Sequence, residues 1–94
     1  RMNTFIVTYT LDDSTESYSK ISSRLKDFPK WAKLFARVWI IRTSRSSKRV
    51  RDELSDVIEG KGKIVVINIT DSAWATYGIN DRMIDWKIFE GLLL

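Results

Sequence analysis

Residues 63–70, KIVVINIT, carry β-branched side chains at six of eight positions. Such side chains lose rotamer freedom in a helix and pack well on a pleated surface, so the run predicts a strand. Residues 3–10, NTFIVTYT, repeat the signal, with Phe5, Val7 and Tyr9 on one face and Ile6 and Thr8 on the other. Apolar residues on both faces point to a strand inside a sheet rather than at its edge. Two strands some fifty residues apart therefore frame the chain, and whatever lies between has to pack against them.

What lies between changes period. After the loop Leu11-Asp12-Asp13-Ser14, Asp13 and Glu16 have the spacing of a capping box, and Tyr18, Ile21, Leu25 and Phe28 recur at helical spacing. A helix is expected over 15–27, ended by Pro29. Residues 31–43, WAKLFARVWIIRT, read as β again. Thirteen residues is long for one strand, so a bend or bulge near Ala36-Arg37, or a division into two strands, is expected. A second helix starts at Ser44 or Ser46 and places Val50, Leu54, Val57 and Ile58 on one stripe, with Gly60 as its C-terminal turn residue. Beyond residue 70, a short fifth strand is expected over 73–77 and a short helix over 81–89, with Met83, Ile84, Trp86 and Phe89 apolar. The apolar tail Gly91-Leu92-Leu93-Leu94 is expected to find a partner.

Strand, helix, one or two strands, helix, strand predicts an α+β domain: a ferredoxin-like βαββαβ sandwich with two helices on one face of an antiparallel sheet. The alternative is a small parallel doubly wound sheet. Ninety-four residues make one domain, taken as 2–94, with the core at about 3–70 and an extension, 71–94, suited to a dimer interface. A chain of this size buries only about 60–65% of its unfolded surface, which makes help from a partner subunit attractive. The 44% apolar content argues against disorder. With no run of about 18 apolar residues and no signal peptide ahead of Met2, the expectation is a cytoplasmic protein without a membrane partner.

The chain has no cysteine and no histidine. That excludes disulfides, thiol nucleophiles, imidazole acid–base chemistry and the usual zinc sites. A metal would have to be a hard cation such as Mg²⁺ or Mn²⁺ on oxygen ligands. Asp12 and Asp13, just past the first strand, are the candidate ligands, and Asp12 the candidate catalytic carboxylate. The competing reading is an acidic turn in which Asp13 caps the next helix.

The charge is strongly polarised. Residues 20–51 hold eleven basic residues against one acid, a local charge of +10; the remainder holds five basic against eleven acidic, −6. One-sided charge of this kind is the footprint of a surface that neutralises phosphates. Arg37, Arg42, Arg45, Ser46, Lys48 and Arg49 are the candidate nucleic-acid-binding residues. Ser44, Ser46 and Ser47 have no histidine to activate them, so they read as capping and phosphate-contacting hydroxyls rather than nucleophiles. Trp74 and Tyr77 fit either base stacking or a core or dimer contact; Trp31, Trp39 and Trp86 read as core or interface.

Taken together, FIVTYTLDD at the first strand, the Tyr/Ile/Leu helix stripe, Ala36-Arg37-Val38-Trp39, RVRDELSDVI and Trp74-Ala-x-Tyr77 resemble a known family. It is the CRISPR-associated adaptation endonucleases, the "Cas two" proteins, and above all their stand-alone bacterial relatives, the SinR family proteins; the virulence-associated protein D toxins are more distant. The likeness spans residues 3–80. It implies a ferredoxin-like fold, a symmetric homodimer in which C-terminal segments pair with the partner's sheet and, for some members, metal-dependent cleavage of RNA or DNA. In that family a metal-binding aspartate directly follows the tyrosine ending the first strand; here Thr10 follows Tyr9. A threonine cannot replace a carboxylate as a Mg²⁺ anchor, which moves the expectation from cutting toward binding. The expected function is thus a homodimeric nucleic-acid-binding protein. A metal-dependent endonuclease, toxin-like in character, and an interaction module for an acidic protein partner are the alternatives.

Overall fold

A computed structural model of the chain describes residues 2–12, 15–73, 75 and 77. Its elements run β1 (Asn3–Leu11), α1 (Thr15–Leu25), β2 (Lys30–Phe35), β3 (Val38–Thr43), α2 (Ser47–Ile58) and β4 (Gly62–Asn68). Among the described residues the strands form one sheet in the order β2-β3-β1-β4, and every pairing is antiparallel. The class is α+β, and the antiparallel sheet replaces the parallel alternative.

β1 sits inside the sheet, as its two-faced composition predicts. Phe5 lies opposite Ile41 of β3 on one side and Asn68 of β4 on the other. Alternation then sends Phe5, Val7, Tyr9 and Leu11 to the helix side, where they join Trp39 and Ile41 of β3. α1 contributes Ile21 and Leu25 to this cluster, α2 contributes Val50, Leu54 and Ile58, and Phe28 closes it. Burying one such side chain is worth about 1.5–3 kcal/mol. The Trp39 indole N–H, buried with the ring, donates to the Tyr9 hydroxyl at 3.1 Å, so the core's polar handles satisfy each other.

The second sheet face carries Ile6 between Ile40 and Ile67. Its cover is uneven: Ile40 and Thr4 are buried, whereas Val65 and Ile67 on outer strand β4 are each half exposed.

The long second β region resolves into a hairpin. Ala36 and Arg37 make the turn, and Arg37 takes a left-handed φ of 63°. Its carbonyl accepts from the Tyr9 N–H at 3.3 Å, and its guanidinium lies 4.6 Å from the centroid of the Tyr18 ring. A left-handed conformation costs a non-glycine residue about 1–2 kcal/mol, and a cation–π contact returns about 0.5–1 kcal/mol or more. β2, at the sheet's other edge, is short, bulged between Lys33 and Phe35, and carries exposed Lys30 and Lys33. These are the devices that discourage edge-to-edge pairing.

The boundaries differ from expectation for local reasons. α1 stops at Leu25, two residues early, because the Asp27 and Phe28 amides bond three residues back, to Arg24 and Leu25, and turn Phe28 onto the core. Of the two expected caps for α2, Ser46 is used: its Oγ accepts from the Arg49 N–H at 3.1 Å. At the other end the left-handed turn begins at Glu59 (φ 54°) and continues through Gly60 (φ 77°), one residue ahead of the expected glycine. β4 ends at Asn68 rather than Thr70, because the Asn68 side chain accepts from the Thr70 N–H at 2.9 Å and forms a local turn. The cap expected at Asp13 and the helix expected over 81–89 lie outside the described residues. Of the strand expected over 73–77, Ala73, Ala75 and Tyr77 are described and are not in a strand; Trp74 and Thr76 lie outside.

Gly62 is required where β4 begins opposite Leu11. A Cβ there would stand 2.5 Å from the Thr10 carbonyl oxygen and 2.9 Å from a Leu11 methyl carbon. Gly62→Ala is therefore expected to lower stability by about 1–3 kcal/mol, read from urea melts, with the loss traced to the start of the β1–β4 ladder by amide exchange.

Candidate nucleic-acid interface

Both helices pack on one face of the sheet, so their outward sides meet. At that seam three arginines converge on one carboxylate. Arg24 of α1 comes within 3.4 Å of Glu53 of α2, and Arg45, in the loop ahead of α2, within 3.1 Å. Arg49, one turn before Glu53, stands 3.7 Å from its other oxygen. Glu53 is the best-covered member, at 19% side-chain exposure against 69% for Arg49. Beneath lies the buried ring of Phe28, with the Arg24 guanidinium 5.8 Å and that of Arg45 5.7 Å from its centroid. The Arg45 amide also donates to the Thr43 hydroxyl, which fixes the loop's exit from β3.

Arg24 has a second acidic neighbour, Asp27 at 3.5 Å. Three guanidiniums against two carboxylates leave the cluster one positive charge in excess. Each guanidinium has five N–H donors in a planar fork, and the ion pairs occupy only part of them. Arg45 and Arg49 are both exposed, next to the serine-capped start of α2. That arrangement suits bidentate contact with phosphate oxygens.

The sequence-predicted residues divide among separate places. Arg45, Ser46 and Arg49 come together at the α1–α2 seam. Lys48 falls on the adjoining side of α2, where it lines a shallow depression of about 240 Å³ with Ser47, Arg51 and Val66. Arg51 is held by Asp52 at 2.7 Å. Arg42 lies on the opposite face of the sheet from Thr43, as strand alternation requires, in register with Thr4 and Lys30. Its Nε and the Thr4 Oγ1 are buried there without a hydrogen-bond partner among the described residues. Arg37 is at the far end of β3, about 20 Å away by strand rise. The +10 segment therefore does not form one continuous patch.

Asp12 is exposed in the bend after β1, where its backbone N–H donates to the Lys61 carbonyl. Asp13 lies outside the described residues, and the described residues assemble no group of three or more acidic side chains that could hold a metal. Tyr77 is fully exposed; Trp39 is core, and Trp31 packs partly buried against it. Among the described residues no helix is long and apolar enough to cross a membrane.

Arg24 and Glu53 were not singled out in the sequence, and Phe28 was read there only as part of the buried stripe of the first helix. The i,i+4 spacing of Arg49 and Glu53 was the available signal for one contact; nothing local connects either residue to Arg24. No protein-family model, curated protein or solved structure matches the chain.

Glu53 gives the seam a diagnostic behaviour. Glu53→Gln is expected to cost about 1–3 kcal/mol in a urea melt, between the values for exposed and buried ion pairs. The same change strips a compensating charge from three arginines. It should therefore tighten binding to a polyanion such as heparin, seen as elution at higher salt. A variant that is both less stable and more weakly retained would count against an anion-binding seam.

Proposed function

We propose that the chain is a small nucleic-acid-binding protein of ferredoxin-like fold that acts as a homodimer and grips the phosphate backbone with the arginines at its helix seam. The observation that carries this reading is the cluster of Arg24, Arg45 and Arg49 around Glu53, with Ser46 beside it. One carboxylate orients three cations without neutralising them, and oriented, partly desolvated guanidiniums are suited to phosphate oxygens. The ferredoxin-like assignment is supported by the element order and by the antiparallel strand order β2-β3-β1-β4. The dimer is supported by half-exposed Val65 and Ile67 on an outer strand. Both agree with the likeness to the CRISPR-associated adaptation endonucleases in the sequence, as does the phosphate-gripping role. Thr10 in place of that family's aspartate favours binding over cleavage.

Fluorescence anisotropy with RNA and DNA across a salt series tests the proposal. Neutralising about four phosphates gives a log–log slope of about −3.5 on duplex DNA, and Arg45→Ala or Arg49→Ala should each make it shallower by about 1. A flat salt response overturns backbone binding. Nucleic acid incubated with the protein and Mg²⁺ should stay intact; cutting that Asp12→Asn abolishes would replace binding with chemistry.

A further inference from the structure

Between α1 and edge strand β2 lies an aromatic groove of about 460 Å³ that the phosphate-binding reading does not use. Trp39 forms its floor: it is 1% exposed and its indole N–H is committed to Tyr9. Trp31 forms one wall, its ring centroid 5.7 Å from that of Trp39 and tilted by 50°. Phe35, 58% exposed, forms the rim. Two lysines stand over the rings, Lys26 at 5.6 Å from the Trp31 centroid and Lys33 at 5.8 Å from that of Trp39. Among the described residues, those lining the groove include no acid.

An aromatic slot crowned by two ammonium groups complements a flat aromatic ligand that carries negative charge. We infer that this groove takes an unpaired base of a nucleic-acid strand, stacked against Trp31 and Phe35, with the adjoining phosphate on Lys26 and Lys33. A base is worth more over an exposed ring than a solvated lysine is, so it displaces the ammonium, which moves to the phosphate. The groove also adjoins the arginine seam. The turn after α1 presents Lys26 to the groove and, two residues on, Phe28 beneath Arg24 and Arg45. A strand crossing that turn would place backbone on one site and a base in the other. Strand addition by a protein partner is disfavoured at the same edge by the bulge and lysines of β2.

This rests on the nucleic-acid reading and deepens it: the ligand is single-stranded, because bases in a duplex are not available to stack. Labelled uridine oligonucleotide and a blunt duplex with the same number of phosphates are titrated against wild type, Phe35→Ala and Trp31→Leu. Phe35 is an exposed rim residue, so its removal leaves the fold intact, and Trp31→Leu keeps an apolar side chain against the core. The expected result is a loss of about fivefold to a hundredfold for the single strand in each variant, with duplex affinity unchanged. Tryptophan quenching by the single strand should shrink in Trp31→Leu. Equal effects on both ligands, or none on either, overturn the groove while the duplex still binds with its salt slope. Uridine monophosphate binding as tightly as the oligonucleotide would assign the groove to a free nucleotide and overturn the strand. Wild type binding neither ligand would instead remove the functional reading beneath it.

Discussion

Strand β1 has hydrogen-bonding neighbours on both sides, β3 on one and β4 on the other. That double engagement constrains everything around it. Its register sets which residues face the helices, and the same alternation puts Ile6 and Thr8 on the opposite face. The Tyr9 hydroxyl accepting from Trp39 ties the two inner strands through their side chains as well as their backbones. A one-residue slip of β1 would turn Phe5, Val7 and Tyr9 away from α1 and α2 and leave two buried polar groups unmatched. Both helices lie over the face of β1 and β3 that carries Phe5, Val7, Tyr9, Trp39 and Ile41.

The helix seam is a consequence of that placement. Two helices on one sheet face have to meet, and the residues on their outward sides are charged. Glu53 offsets the repulsion among Arg24, Arg45 and Arg49 while leaving Arg45 and Arg49 exposed to solvent. A largely covered carboxylate shared by three cations is a compromise between stability and anion binding. A more complete neutralisation would hold the helices better and bind phosphate worse.

Much of the fold was legible in the sequence because it is written in local periodicity. The β-branched density of 63–70, the alternation of 3–10 and the Val50-Leu54-Ile58 stripe each specify an element without reference to the rest. The hairpin within 31–43 was legible as well, since thirteen β-type residues exceed a usual strand. The misplaced boundaries came from competing local bonds: the tightened turn at Asp27 and Phe28, the Asn68 side chain that ends β4, and a left-handed Glu59 one residue before the glycine.

The candidate site was less legible. Composition located the positive charge in residues 20–51, and spacing nominated Arg45, Ser46 and Arg49, all of which meet at the seam. What sequence alone determined was the set of elements, their α+β class and the excess of cations in the middle of the chain, because periodicity and charge are properties of neighbours. Tertiary structure decided which cations act together. Arg42 and Arg45 are three residues apart, yet β3 holds Arg42 on the second sheet face while the loop after it delivers Arg45 to the seam. Arg24 and Glu53 are 29 residues apart and touch only because α1 and α2 share one side of the sheet. Contacts of that kind follow from packing geometry, which no local pattern encodes.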